Sequence, residues 1–361
     1  MRVLTTILIL LAIVAHPAYA QRARRGTTPP PTNAAMGERP NLVRGDEITD
    51  AQAAAVEKGL AWLAMQQQRD GAFGGEGGKN AGITALAALA FMQAGNLPGR
   101  GKYGDNVQRA LDFVLASCQE SGLIASDQSH GPMYGHGFAT LFLAEVYGMT
   151  ADERVKEKLQ KAVRLIQKTQ NHEGGWRYQP VPYDADISVT ICQIMALRAA
   201  RDAGIKVEKE VIDKSIQYVL NCQNADGGFS YMAHQGGGSG FARSAAGVSS
   251  LYYGGVFEGD NLKRGLSYIM QYLPRPGATG AELEGHYYYG HYYAVQAMFL
   301  AGGDYWSQWY PGIRDQLIAN QGRAGGWTDT HGADYATAMA LIILQMPNRY
   351  LPVYTGKGPG S

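Results

Sequence analysis

Two aspartates stand two residues apart in the segment that leads from a Gly-Trp pair into a strongly apolar stretch. Asp184 and Asp186 follow Trp176 in this segment, and Ile187 begins the apolar stretch. A carboxylic acid in a dry pocket can hold a proton at neutral pH and give it to a substrate. An aspartate directly before a helix can instead accept hydrogen bonds from the first free amides of that helix. Asp184 and Asp186 are therefore candidate catalytic acids, with the helix cap as the alternative for Asp186.

Two histidines and a further aspartate occupy comparable places in other apolar stretches. When these stretches are aligned, His136 and His291 fall in register with Asp186, and Asp334 falls one residue later. A histidine beside a carboxylate can tune proton transfer or bind a metal, whereas a single histidine at a helix start more often caps or packs. The spacing does not match the usual zinc-binding patterns. No metal or cofactor is therefore predicted.

Aromatic residues cluster near the same positions. The run from His286 to Tyr293 is dense in tyrosine. Aromatic faces can hold a cation or a flat apolar ligand, and they are also ordinary filling for a protein interior. The predicted ligand-binding residues are His136, Tyr183, Tyr288, His291, Tyr292, Asp334 and Tyr335.

The elements that must position these residues belong to a repeat. A basic residue followed by a small one recurs about every fifty residues, which is the period expected of repeat architectures. In the fullest copy this pair is followed by Gln170, Gly174 and Trp176. The anchor pairs are Lys58-Gly59, Arg109-Ala110, Lys161-Ala162, Lys214-Ser215 and Arg264-Gly265, with a degenerate sixth at Gly312.

Each repeat contains two different kinds of helix. The first helix of the third repeat places Val155, Leu159 and Val163 on one stripe, as in a helix with one face in water. The second, from Ile187 to Leu197, is apolar nearly all round and must be covered on most sides. Six repetitions of this pair predict an all-α fold, a single α/α toroid or barrel of six inner and six outer helices, over residues 49–347.

The repeat resembles the QW repeat of squalene and oxidosqualene cyclases, shared more loosely with the β-subunits of protein prenyltransferases. The resemblance rests on the pattern of a basic-small pair, an aromatic-aliphatic pair, a glutamine and Gly-x-Trp, and it runs from Ala51 to about Met346. It implies an α/α barrel. Because such barrels serve unrelated functions, the fold alone assigns no activity.

The segment around Asp186 is similar to the Asp-x-Asp-Asp-Thr motif of squalene-hopene cyclases. The resemblance implies that Asp186 would be the acid that protonates an alkene, with Asp184 beside it. The third acid of the motif is replaced by Ile187. Prenyltransferases bind zinc through an Asp-x-Cys pair and a histidine, and Cys192 stands too far from Asp186 to fit that pattern.

The two ends of the chain have the composition of unfolded or removed segments. Arg2, the apolar run from Leu4 to Val14, and Ala18-Tyr19-Ala20 predict a signal peptide over residues 1–20, cleaved near Ala20. Export to the periplasm or the medium follows, with no transmembrane segment after cleavage. Residues 21–48 are predicted as a disordered linker and 348–361 as a flexible tail. Removal of the signal leaves basic and acidic residues balanced, which argues against nucleic acid as a partner.

Three functions are compatible with these patterns. The first is an exported toroid that binds an apolar, isoprenoid-like ligand or a peptide in its central cavity. The second is an enzyme of the class II cyclase type, an isomerase, with Asp186 as the general acid. The third is a protein-interaction scaffold. Class II cyclases build their cavity between two barrels, and this chain has residues for one, so binding is the favoured function.

Overall fold

The computed structural model describes residues 47–75, 78–126, 131–275 and 286–355. The predicted signal peptide and nearly all of the predicted linker lie outside these residues. The regular secondary structure of the described part is helical, apart from a small antiparallel hairpin of β1 (Gly74–Gly75) and β2 (Gly78–Lys79). Its helices are α1 (Asp50–Gln66), α2 (Ala81–Gln93), α3 (Gly104–Ala116), α4 (Met133–Thr150), α5 (Glu153–Lys168), α6 (Ile187–Asp202), α7 (Lys209–Asn221), α8 (Phe241–Gly254), α9 (Asp260–Met270), α10 (Tyr287–Ala301), α11 (Gly303–Ala319) and α12 (Ala333–Leu344).

The even-numbered helices form a closed inner ring. Each contacts the next in the order α2, α4, α6, α8, α10 and α12, and α12 returns to α2. The odd-numbered helices pack outside this ring. The outer helix α5 buries one stripe that includes Val155 and Leu159 and leaves the opposite face in water, whereas α6 is buried almost all round. The predicted toroid is confirmed.

In four of the six repeats a glutamine joins its own loop to the next repeat. Gln170 Nε2 donates to the carbonyl oxygen of Gly174 at 2.9 Å and to that of Val211, at the start of α7, at 2.8 Å. The indole of Trp176 donates to the carbonyl of Ile166 at 2.8 Å. One side chain thus connects two neighbouring outer helices. This role explains why the glutamine recurs with the same period as the helices. Gln67, Gln223 and Gln321 make the equivalent pair of bonds.

The glycine of each loop has a steric role. Gly174 has φ +101°, and a Cβ there would lie 2.2 Å from the carbonyl oxygen of Lys214, the basic residue of the next repeat. Gly325 repeats this contact with Lys58, at 2.7 Å. Only glycine combines this backbone conformation with so close an approach. Because Gly325 belongs to the sixth repeat and Lys58 to the first, the same contact closes the ring.

The packed chain extends beyond both predicted limits. Glu47, assigned to the linker from sequence, is buried, and its Oε1 accepts a hydrogen bond from the indole of Trp306 at 2.9 Å. After α12 the chain makes two short 3-10 turns at Met346–Asn348 and Pro352–Thr355. Val353 and Tyr354 are buried there. The tail predicted as flexible from residue 348 is therefore packed against the barrel at Leu351, Val353 and Tyr354.

The C-terminal segment closes the end of the ring at which the inner helices finish. Tyr354 reaches the interior, where its hydroxyl lies 3.1 Å from that of Tyr292, and the amide of Val353 donates to Glu145 Oε1 at 3.3 Å. We call this end of the ring the base, and the end where the inner helices start the mouth. No described helix combines the length and the apolar character needed to cross a membrane.

Candidate functional site

A cavity of about 860 Å³ opens at the mouth of the barrel. Every repeat contributes to its wall, because the inner helices are parallel and their first turns surround the same axis. Aromatic side chains dominate the wall. They are Tyr134, Phe138, Tyr178, Tyr231, Phe241, Tyr272, Tyr289 and Tyr335.

The character of the wall changes with depth. Leu86 and Phe138 lie in the second turns of α2 and α4, are almost completely buried, and form the apolar floor. His286 and His331 precede α10 and α12 and are exposed at the rim. The buried end of a ligand in this cavity would therefore contact aliphatic and aromatic side chains. Its polar contacts would lie near solvent.

The tyrosines of the wall are held by hydrogen bonds among themselves and to α6. The hydroxyl of Tyr289 donates to the carbonyl oxygen of Ser188 at 2.8 Å. Tyr134 shares a hydrogen bond with the Ser188 hydroxyl, and Tyr178 shares one with Tyr231. Because the hydroxyls are engaged in this way, the rings rather than the polar tips form much of the surface that a ligand would contact.

Asp186 caps α6 from behind the cavity wall. Its Oδ1 accepts hydrogen bonds from the amide of Val189 at 2.9 Å and from the hydroxyl of Ser188 at 2.6 Å, and the residue is fully buried. Its Oδ2 lies 3.5 Å from Nε of Arg177. Burial raises the pKa of Asp186, while the bonds from Ser188 and Val189, Tyr231 and the Arg177 charge oppose the rise. The cap expected as the alternative role is present.

Asp184 and Tyr183 lie outside the cavity wall. Asp184 forms an ion pair with Arg177, and both side chains are about one-third exposed. Tyr183 is 82% exposed, because it stands on a loop folded into two tight turns. In these turns the amide of Val181 donates to the carbonyl of Gln179 at 2.8 Å, and the amide of Tyr183 to that of Val181 at 2.9 Å.

His136 has a different register from the one predicted. Its Nδ1 accepts the amide hydrogen of Ile124 at 3.1 Å, just as Thr190 Oγ1 accepts that of Trp176 at 3.1 Å. His136 is thus equivalent to Thr190, one helical turn beyond Asp186, and it lies behind the wall. Burial lowers its pKa to about 4. Thr84, Ser244 and Thr337 make the same bond in other repeats.

His291 and the predicted tyrosines of α10 belong to the core instead of the cavity wall. His291 is buried among Phe241, Tyr287 and Trp309, with ring centroids 4.6–5.8 Å away, and burial lowers its pKa to about 3. Tyr288 is buried outside the wall, and Tyr292 points toward the base.

Asp334 supports the hairpin. Its Oδ2 accepts a hydrogen bond from the amide of Gly74 in β1 at 3.0 Å, and burial raises its pKa although this bond opposes the rise. Within the described residues, Tyr335 is the one predicted site residue that lines the cavity. Tyr134, Phe241 and Tyr289 lie in the first turn of an inner helix, and this placement is the sequence signal that could have identified them.

No group of three or more His, Cys, Asp and Glu residues in the described ranges is arranged to hold a metal ion. Cys118, Cys192 and Cys222 are free thiols. Besides aromatic rings, the cavity presents phenol hydroxyls, the side chains of Asn80, Ser188 and Ser239, two imidazoles and one guanidinium, Arg243.

Comparison with known proteins gives a family and a fold. The family model of the prenyltransferase alpha-alpha toroid domain matches residues 42–123 and 62–273, which together span more than half of the chain. No curated protein matches the sequence.

Solved structures of several proteins share the fold. An inactive variant of an α-1,6-mannanase from a Salegentibacter species, in complex with α-1,6-mannotriose, has a TM-score of 0.63 at 11% identity, covering 83% of this chain and 99% of that one. A type II terpene cyclase variant from Scytonema, in complex with merosterolic acid A, has a TM-score of 0.61 at 14% identity, covering 84% and 98%. A protein from Actinoplanes has a TM-score of 0.57 at 16% identity, covering 83% and 99%. At these identities the likeness extends to the fold alone.

Proposed function

The chain belongs to the prenyltransferase alpha-alpha toroid domain family, and on that premise we propose that it binds an apolar, isoprenoid-like small molecule in the mouth cavity. The observation that carries this proposal is the aromatic and aliphatic wall above a buried floor of Leu86 and Phe138. Small-molecule sites are concave, mostly apolar and on the order of 300–1,000 Å³ in volume. The cavity of about 860 Å³ falls within that range.

Binding is favoured over catalysis by the position of the acid. A general acid must come within hydrogen-bond reach of the atom that it protonates. Asp186 instead faces Arg177 and the first amides of α6, with Ser188 and Tyr231 between it and the cavity.

A cyclase-type isomerase remains the second candidate because one chain of hydrogen bonds reaches the cavity. The Ser188 hydroxyl bonds both Asp186 and the hydroxyl of Tyr134, and Tyr134 and Ser188 line the wall. Incubation of the protein with squalene-like substrates tests this candidate. Product formation that is abolished by Asp186→Asn, with the fold retained, would support catalysis, and the absence of product from the unchanged protein would remove it.

The binding proposal is tested by filling the cavity. Ala242 lines the wall at the start of α8 and is partly exposed, so Ala242→Trp should reduce the free volume without removing a core side chain. Met65 is 73% exposed on α1, and Met65→Trp is the matched surface control. We expect Ala242→Trp to weaken farnesol binding at least about 10-fold in calorimetry, and the control to leave it unchanged. Equal affinities in the two variants would contradict binding at the mouth.

Native mass spectrometry of protein purified from the source cell provides an independent test. A co-purifying apolar molecule that is lost from Ala242→Trp but retained by Met65→Trp would identify the natural ligand. A co-purifying peptide would instead favour the peptide alternative for the same cavity.

We also propose that the protein is exported. The basis is the signal-like sequence that ends in Ala18-Tyr19-Ala20. Peptide sequencing of the periplasmic or secreted protein should find Gln21 at the new amino terminus. Recovery of the chain with Met1 intact in the membrane fraction would contradict cleavage.

A further inference from the structure

Arg243 places a positive charge in an otherwise uncharged part of the cavity wall. It is the third residue of α8, and its guanidinium lies over Gly240, where an added Cβ would be 2.7 Å from Nη2. Its Nε is buried without a hydrogen-bond acceptor in the described ranges, and no carboxylate of those residues lies within 4 Å of it. The other guanidinium near the cavity, Arg177, is occupied by Asp184 and faces Asp186.

The position of Arg243 is unfavourable for the helix that contains it. The first turn of a helix carries the positive end of the helix dipole, where acidic side chains are stabilising and basic ones are not. α8 also has no side-chain cap, since Gly240 occupies the N-cap position. Neither helix stability nor an ion pair among the described residues explains a guanidinium at this place, and an anion bound in the cavity would compensate its charge.

The depth of the cavity determines where such an anion would lie. Leu86 and Phe138 are in the second turns of their helices, whereas Arg243 is in a first turn, closer to the rim. A charged group at the floor would lose hydration without a partner, which is costly. A charged group near the rim would keep part of its hydration and meet Arg243.

We propose that the ligand is amphipathic, with one carboxylate that pairs with Arg243 near the rim and an apolar tail that fills the aromatic cavity. This inference rests on the proposed function. The planar guanidinium presents parallel N–H donors that match the two oxygens of a carboxylate. A single guanidinium that has no ion-pair partner in the described part of the chain also balances the single charge of a carboxylate better than the higher charge of a phosphate ester.

The test compares three probes with the same tail: farnesoic acid, farnesol and farnesyl phosphate. Isothermal titration calorimetry on the full chain should show farnesoic acid binding about 10- to 100-fold more tightly than farnesol, which is the usual contribution of hydrogen bonds to a charged group. Arg243→Met should reduce the affinity for farnesoic acid to that for farnesol and leave farnesol unchanged.

Two further variants isolate the role of the guanidinium. Arg164 is exposed on the outer helix α5, so Arg164→Met removes the same charge far from the mouth and should change neither affinity. Arg243→Lys keeps the charge but loses the planar pair of donors, and it should give an intermediate affinity for farnesoic acid. It also replaces Arg243→Met as the test if circular dichroism shows that the methionine variant is unfolded.

The remaining outcomes separate this inference from the proposed function. Equal affinity of the unchanged protein for farnesoic acid and farnesol would overturn the carboxylate site while leaving apolar binding in place. Tighter binding of farnesyl phosphate than of farnesoic acid would overturn the carboxylate in favour of a phosphate. Binding of none of the three probes would overturn both the carboxylate site and the proposed function.

Discussion

The mouth and the base of the barrel are built from the same helices but have opposite characters. At the mouth the connections are long, as in residues 169–186 and 222–240, and their side chains surround an open cavity. At the base the connections are short, with Gly302 alone between α10 and α11. There the C-terminal segment packs across the axis and buries Tyr354 against Tyr292.

Polar groups are also used differently at the two ends. At the base they pair in the interior: Tyr253 donates to Gln296 at 2.5 Å, and Arg198 pairs with Asp202 at 2.7 Å. At the mouth, Arg243 and the rim histidines face the cavity. The repeated residues determine the ring of helices. The connections and the C-terminal segment determine which end of the ring is open and which is filled. Substitutions at the base should therefore mainly lower stability, whereas substitutions at the mouth should mainly change ligand binding.

The largest effect is expected from removal of the side chain that closes the base. Tyr354 is 1% exposed, and truncation of a large buried aromatic residue costs about 3–4 kcal/mol. Tyr354→Ala should lower the free energy of unfolding in urea by that amount. Tyr335→Ala at the mouth, where the ring borders the cavity and is partly exposed, should cost less than half as much. Equal costs would show that the two ends are energetically alike.

The second effect concerns the pH dependence of stability at the base. Burial raises the pKa of Glu145 to about 8, against the opposing bond from Val353 and with a further rise from Asp202. The pKa of Glu145 is therefore higher in the folded state than in the unfolded state. The contribution of Glu145 to the free energy of unfolding is fully present below about pH 4.5 and is lost as the pH rises toward 8.

Glu145→Gln removes this titration. It should increase the free energy of unfolding at pH 9 by on the order of 2 kcal/mol and flatten the profile between pH 5 and 8. Urea denaturation across this pH range is the measurement. A profile that keeps the slope of the unchanged protein would mean that Glu145 is not the titrating group.

A smaller effect is expected from the acid behind the mouth. If Asp186 acts as a helix cap, Asp186→Asn retains an acceptor for the amide of Val189 and should change the free energy of unfolding by less than about 1 kcal/mol. Asn80 caps α2 in the equivalent way, through the amide of Ile83 at 3.0 Å, and provides the control. Asn80→Ala should cost about 1 kcal/mol. Thermal denaturation of both variants makes the comparison.

The smallest effect is expected from the exposed ion pair. Asp184 and Arg177 are each about one-third accessible to solvent, and exposed pairs contribute about 0–1 kcal/mol. Asp184→Asn should therefore change stability by less than about 0.5 kcal/mol, and less still at high salt. A much larger loss would mean that Arg177, once freed from Asp184, disturbs Asp186 and the start of α6.

The repeat could be predicted from the sequence because its key residues have the same role in each copy that retains them. Gln170 bridges two repeats, and Gly174 admits a neighbouring carbonyl. The site was harder to predict. His136 was assigned to the register of Asp186, but a shift of one helical turn leaves a residue on nearly the same face, so helical periodicity does not distinguish the two alignments.

The other misassignments arise from tertiary context. Tyr183 is carried outward by tight turns that have no apolar periodicity. Tyr354 lies in a Pro- and Gly-rich segment without a pattern of its own, yet it is buried because the barrel axis provides a place for it. Neither position could be derived from the segment that contains the residue.

The contact between Gly325 and Lys58 has a consequence for how the molecule unfolds. A linear array of repeats has two terminal units with a neighbour on one side only, and such arrays lose structure from their ends. Here the sixth unit packs on the first, so every unit has two neighbours and none is terminal. Native-state hydrogen exchange should accordingly show the slowest amides of all six inner helices opening with one common free energy, without a gradient along the chain.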